Sequence, residues 1–201
     1  AMIKRSLYRQ DPMTGPKEER DVVFITKATP EDNEFTEWLA PRLEAAGYKV
    51  FADILNLEAG ERWRKTLTRT LQDRAVKQLL ICTDIGLQKD GVPEEIGIAT
   101  DVSREIGDDK FILPLRVKRF KKVFGMGELQ YLNFETSYAD GLADLLETLE
   151  KQNVPKLKKP VVQPQWEQHR RRNEIKLEHR DETLTSNWVA IESAPDEIAY
   201  V

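Results

Sequence analysis

Glu95 is the first residue whose type and place could do chemistry. It stands beside Glu94 just after Pro93, in what reads as the first turn of a helix. The helix dipole favours a carboxylate there, so Glu95 is either an idle structural acid or the charged group of a ligand site. Glu94 and Glu95 would lie about 100° apart around the helix, so both cannot point into one site. Thr26 and Lys27 close an apolar run, at the strand end where open α/β sheets bind ligands. Lys27 reads equally well as a solvated lysine. Asp53 either contacts a ligand or fixes its own turn. Trp63 opens an apolar helical stripe and belongs either to the core or to a cofactor platform. His169 and His179 lie in a charged tail, and Cys82 is the only cysteine, so these residues make no metal site. The apolar surroundings of Cys82 predict a buried thiol rather than a nucleophile.

Strands and helices alternate in the elements that must position these residues. Residues 21–26 (DVVFIT) form an apolar run of strand length. Thr29 then suits an N-cap and Pro30 a first helical position. Phe35, Leu39 and Leu43 stripe a helix that ends at Gly47, and Pro41 inside it should bend or loosen it. Residues 48–52 are the second strand, and 53–60 an irregular loop. Trp63, Leu67 and Leu71 stripe the second helix, and residues 76–82 make the third strand. Pro93 starts a helix with Ile96, Ala99, Val102 and Ile106 on its apolar face. Residues 111–117 and 131–134 are the fourth and fifth strands, and Leu142, Leu145, Leu146 and Leu149 stripe the last helix. Such short strand–helix spacings imply a parallel sheet covered on both faces. The expectation is a flavodoxin-like, three-layer α/β domain with a five-stranded parallel sheet.

The chain has 201 residues, 40% of them hydrophobic, and a formal charge of −4. That supports one core and makes no global case for nucleic-acid binding. Residues 1–20 read as a flexible leader, with Ala1 before Met2 as an expression scar. Residues 21–153 read as the domain and 154–182 as a charged linker. Residues 183–201 regain apolar side chains, as the start of a second region cut short. No apolar run approaches membrane-spanning length and no signal peptide is visible. The expected location is cytoplasmic, with no membrane partner.

The segment Val23-Phe24-Ile25-Thr26 followed by Ala28-Thr29-Pro30-Glu31-Asp32 resembles the first box of a TIR domain. Gly47-Tyr48-Lys49-Val50-Phe51-Ala52-Asp53 and then Gly60-Glu61-Arg62-Trp63 resemble the second. Glu95-Ile96, with Ala99 following, resembles the helix that carries the catalytic glutamate of NAD-cleaving members. Phe111-Ile112-Leu113-Pro114-Leu115 resembles the fourth strand. Residues 141–146, 150–155 and 184–188 are similar to TIR-APAZ proteins, which partner short prokaryotic Argonautes. Lys27 departs from many bacterial relatives, which have an aromatic residue or His there. Most of an APAZ region is absent from these residues, which implies lost or weakened Argonaute docking.

The resemblance implies an NAD+ hydrolase of prokaryotic immunity, with NAD+ as substrate and no cofactor. Glu95 would be catalytic, and Thr26, Lys27, Ala28, Asp53 and Trp63 would bind substrate. One carboxylate suffices in principle, because the leaving nicotinamide is neutral and needs no general acid, unlike ordinary glycoside hydrolysis. Ile54, Leu55, Leu57 and Gly60 would form an assembly loop that docks on another TIR protomer. A short Argonaute with guide and target nucleic acid would be the partner in the full-length protein. A non-enzymatic TIR scaffold is the alternative. A receiver or nucleotide-binding domain is a third reading, weakened by the lack of an acidic pair after the first strand and of a Gly-rich phosphate loop.

Overall fold

A computed structural model of the chain describes residues 19–52, 61–118, 130–166 and 168. In order these form β1 (Val22–Thr26), α1 (Asn33–Ala45), β2 (Lys49–Ala52), α2 (Glu61–Arg69), β3 (Ala75–Cys82), α3 (Val92–Ile106), β4 (Ile112–Arg116), β5 (Leu132–Asn133) and α4 (Tyr138–Lys151). A π-helical turn, Thr70–Arg74, continues α2, and a 3-10 turn, Gly86–Gln88, precedes α3. The strands pair in parallel in the order β2-β1-β3-β4-β5. That is the flavodoxin-like winding, whose strand order reverses between β1 and β3.

The alternation of side chains along each strand divides the core into two layers. Val23, Ile25, Leu79 and Ile81 join the α1 residues Phe35, Leu39 and Leu43 and the α4 residues Leu145 and Leu149. On the other face, Phe24 packs with Leu67, Leu71, Ala99 and Val102, and Leu80 and Cys82 pack with Leu87 and Val92. So α1 and α4 cover one face, and α2 and α3 the other. Cys82 is buried, and burial pushes its thiol up to about 12, which keeps it protonated and unreactive.

Two local expectations need correcting. Helix α1 starts at Asn33 rather than at Pro30. Residues 28–32 instead form a turn, in which Asp32 Oδ2 accepts from Ala28 N at 2.9 Å and Thr29 Oγ1 from Lys27 Nζ at 2.6 Å. Pro41 lies inside α1, which runs on through it to Ala45. The lost N–H costs a hydrogen bond, but Phe35, Leu39, Ala40 and Leu43 hold the helix to the sheet on both sides of it. Arg20, assigned above to the leader, donates to Ala75 O at 2.8 Å and so belongs to the packed domain.

Packing also continues past residue 153. Val154 and Trp166 are buried, and Leu157 N donates to Gly47 O at 2.7 Å. The buried Glu44 of α1 accepts from Gln163 N, Gln163 Nε2 and Trp166 Nε1 at 2.8, 2.6 and 2.8 Å. Residues 154–166 are therefore a strap laid on the α1 and β2 side, not a free linker. Their Pro and Lys content obscured this, because the partner, Glu44, lies more than a hundred residues away in sequence. Trp166→Ala should cost about 3 kcal/mol in urea denaturation. Burial raises the Glu44 pKa, and the bonds from Gln163 and Trp166 only partly offset that. The folded chain thus holds this proton more tightly than the unfolded one. The Glu44 contribution to stability is greatest below the ordinary carboxylate range and falls as pH rises through the raised folded value. Glu44→Gln should flatten this part of the pH profile.

The helix interior of α4 holds Gly141 for a packing reason. A Cβ there would meet the Phe134 ring at 2.7 Å and Asn133 O at 2.8 Å. Alanine is the better helix former by roughly 1 kcal/mol, but Phe134 is fully buried and neither it nor the β5 backbone has room to retreat. Gly141→Ala should destabilise the domain by about 1–3 kcal/mol, as overpacked sites do, read as a lower urea midpoint at unchanged slope.

Candidate functional site

A cleft of about 700 Å³ opens at the carboxyl end of β1, between α2 and the start of α3. It lies at the β1/β3 reversal point, where doubly wound sheets bind ligands, and its volume falls within the roughly 300–1,000 Å³ of small-molecule sites. Lys27, Trp63, Arg64, Lys89, Glu94 and Glu95 border it. Another depression, of about 860 Å³ between α2 and α3, is lined by mixed charges including Arg69, Arg74, Asp101 and Glu105. It lies away from Glu95 and from the β1 end, so its greater volume does not make it the better site.

Glu95 is placed by the start of α3. Gly91 adopts φ +91°, a left-handed conformation suited to glycine, and the helix begins at Val92 with Glu94 and Glu95 in its first turn. Glu95 N closes that turn on Gly91 O at 3.0 Å. The half-buried Glu95 side chain reaches β1, where its Oε2 accepts from Thr26 Oγ1 at 2.6 Å. Glu94 also borders the cleft, which corrects the expectation that only one of the pair could do so. Of the two, Glu94 is exposed, whereas Glu95 is half-buried and tied to Thr26.

The other sequence-selected residues divide. Lys27 borders the cleft but is not a solvated lysine. It is 8% exposed, and its Nζ donates to Thr29 Oγ1 and to Asn33 Oδ1, at 2.6 and 2.7 Å. Trp63 is half-buried and stacks on Phe51 with ring centroids 5.5 Å apart, and Phe51 in turn stacks on Phe24 at 5.3 Å. The indole is thus both the end of a core stack and a wall of the cleft, and its buried Nε1 has no hydrogen-bond partner. Thr26 is fully buried and reaches the site only through Glu95. Ala28 is also buried and does not line the cleft. Its N–H is committed to Asp32. Asp53, Ile54, Leu55, Leu57 and Gly60 lie outside the described residues.

Residues not selected from the sequence complete the site. Lys89 Nζ donates to Glu31 Oε1 at 2.7 Å and ties the loop before α3 to the turn after β1. Asp32 accepts from Ala28 N and Thr83 Oγ1 and so clamps the ends of β1 and β3. Burial pushes the Asp32 carboxyl up, and these two bonds pull the other way without fully offsetting it. Gln78 of β3 is wholly buried and donates to Thr26 Oγ1 at 2.8 Å. A glutamine inside an apolar strand run was the available signal, since buried polar groups require partners.

A doubly wound domain with a carboxylate-walled cleft at its strand reversal is the class defined by fold and site. The TIR domain family matches residues 23–146, and the chain belongs to it. It is 41% identical over 206 residues to the uncharacterized protein y4cD of Sinorhizobium fredii (strain NBRC 101917 / NGR234). The match covers 100% of this chain but 32% of that protein, so the chain spans about a third of its relative's length. The crystal structure of the TIR domain of the Toll-related receptor TRR-2 from Hydra magnipapillata aligns at TM-score 0.49 and 17% identity, covering 67% of this chain and 98% of that one. Among the described residues no helix is long and apolar enough to cross a membrane.

Proposed function

We propose that this TIR domain cleaves NAD+ at the bond between nicotinamide and ribose. The observation that carries this reading is the Glu95 carboxylate, held on the cleft wall by Thr26 at 2.6 Å. As the C–N bond breaks, its electron pair leaves with the pyridinium nitrogen, which becomes neutral. Positive charge gathers on the ribose. A fixed carboxylate stabilises that charge and can hold ribose hydroxyls. An oxygen nucleophile, water or a hydroxyl of the same substrate, then bonds to the anomeric carbon and gives up a proton. Trp63 offers an aromatic face to a flat ring, and Lys27, Arg64 and Lys89 supply positive charge for the pyrophosphate.

The wider setting rests on the similarity of residues 141–146, 150–155 and 184–188 to TIR-APAZ proteins. In the full-length protein, a short Argonaute carrying guide and target would gather TIR domains, and NAD+ loss would arrest an invaded prokaryotic cell. The direct test is nicotinamide release, followed by chromatography with the protein concentrated. Release above the no-protein rate supports the reading. None at any concentration would leave a non-enzymatic TIR scaffold.

A further inference from the structure

The apolar β3 run contains a polar side chain that packing alone does not require. Gln78 is fully buried and pairs in register with Phe24 on β1 and Ile112 on β4. Its Nε2 lies 2.8 Å from Thr26 Oγ1 and 3.4 Å from the backbone O of Glu95. An amide nitrogen only donates, and both of its neighbours accept, which fixes the orientation of the amide. Thr26 has one hydroxyl proton. With Gln78 donating into its oxygen, that proton is directed to Glu95 Oε2, 2.6 Å away. The reversed amide would draw the Thr26 proton to itself and leave two oxygen lone-pair regions facing each other at the Glu95 contact. The order Gln78 to Thr26 to Glu95 is therefore directional, and it links β3, β1 and α3.

We infer that Gln78 is a positioning residue, acting through Thr26 to hold the Glu95 carboxylate in one rotamer with one oxygen already hydrogen-bonded. This rests on the reading of Glu95 as the catalytic carboxylate. Polarising Thr26 strengthens its bond to the charged form of Glu95, since hydrogen bonds in series reinforce one another. The cost of burying an amide in β3 is offset only while both acceptors are present. Gln78 Oε1, which is buried with no partner, shows that the site serves the donor end of the amide and not both ends.

The test uses the whole chain with Gln78→Met, Thr26→Val, Thr26→Ser and the Gln78→Met/Thr26→Val double variant. Methionine keeps the length without the donor, and valine keeps the shape without the hydroxyl. Expected are a fall in kcat of about tenfold for Gln78→Met, as for a displaced reacting group, little change in KM, and near-normal activity for Thr26→Ser. The double variant should be no worse than Thr26→Val, because Gln78 acts through Thr26. Independently of turnover, the Glu95 carboxyl 13C resonance, assigned by its loss in Glu95→Gln, should titrate at higher pH in Gln78→Met and in Thr26→Val. Lys27, Arg64, Lys89, Asp90 and Glu94 border the same cleft and also act on that titration, but these substitutions leave them in place. If Gln78→Met does not fold, the Gln78 side-chain 15N resonance should follow the Glu95 titration in the wild type and cease to follow it in Thr26→Val. Wild-type kcat with an unshifted Glu95 titration in folded Gln78→Met overturns the inference. So does a Gln78→Met loss of equal size with and without Thr26, or a Gln78 resonance that behaves alike in both backgrounds. A chain that turns over no NAD+ yet shows the linked titration refutes the proposed reaction and retains the positioning.

Discussion

Glu95→Gln is expected to lower nicotinamide release by about 10²–10³-fold, the usual loss when a preorganised stabilising group is removed, with stability near that of the wild type. The amide oxygen can still accept from Thr26 Oγ1, so the hydrogen bond seen at 2.6 Å survives while the charge is gone. Glu95→Ala should be equally inactive but less stable, by about 1 kcal/mol. From the sequence alone Glu95 is a surface residue whose removal costs almost nothing. The structure alters that expectation, because Thr26 is fully buried and would lose the acceptor of its only proton. The cost stays at the low end because Glu95 borders an open cleft and water can enter the vacated volume. Turnover and urea denaturation on the same preparations separate the two effects. Full turnover by Glu95→Gln would eliminate Glu95 as the charged catalytic group.

Leu55→Asp is expected to silence the protein without unfolding it. Ile54, Leu55 and Leu57 fall in a chain segment that joins the end of β2 at Ala52 to α2. Helix α2 carries Trp63 and Arg64 to the cleft, so a contact made just before α2 acts on the wall of the site. If a second TIR protomer docks there, dilute protein should be nearly inactive, and the rate should rise more steeply than linearly with concentration. Linking protomers, as a guide-bound Argonaute would, raises the effective concentration and substitutes for bulk protein, with gains of about 10²-fold or more. Leu55→Asp places a charge in the joint and should remain silent across the concentration series, with an unchanged melting temperature. A dilute monomer at full specific activity, with Leu55→Asp equally active, would exclude assembly as the activating step.

The sequence by itself determined the sheet and its helices. The runs at 21–26, 76–82 and 111–117 are mostly apolar, broken only by Asp21, Lys77, Gln78 and Arg116 among their charged and amide residues, because strands buried on both faces need it. The stripes of Phe35, Leu39 and Leu43 and of Leu142, Leu145 and Leu149 follow the helical period. Short spacings between them left a parallel winding as the workable one. Pro93 and the acids after it placed Glu95 in a first turn, and the carboxyl end of β1 placed Lys27 beside a ligand position. Those signals are local, so they can be read within a few residues.

Only the tertiary structure decided what these groups touch. Thr26 meets Glu95 across 69 residues and Gln78 across 52, contacts that exist because β1 lies beside β3 and α3 starts above them. Lys27, for which the sequence leaves a ligand contact and a solvated lysine equally open, is buried because the turn after β1 folds Thr29 and Asn33 onto its ammonium. Residues 154–166 read as a linker because Pro and Lys dominate them, yet Trp166 is buried against Glu44 of α1. Hydrophobic periodicity records which face of an element is buried. It carries no record of which distant polar group will complete a hydrogen bond there, since that depends on strand order and on how the layers pack.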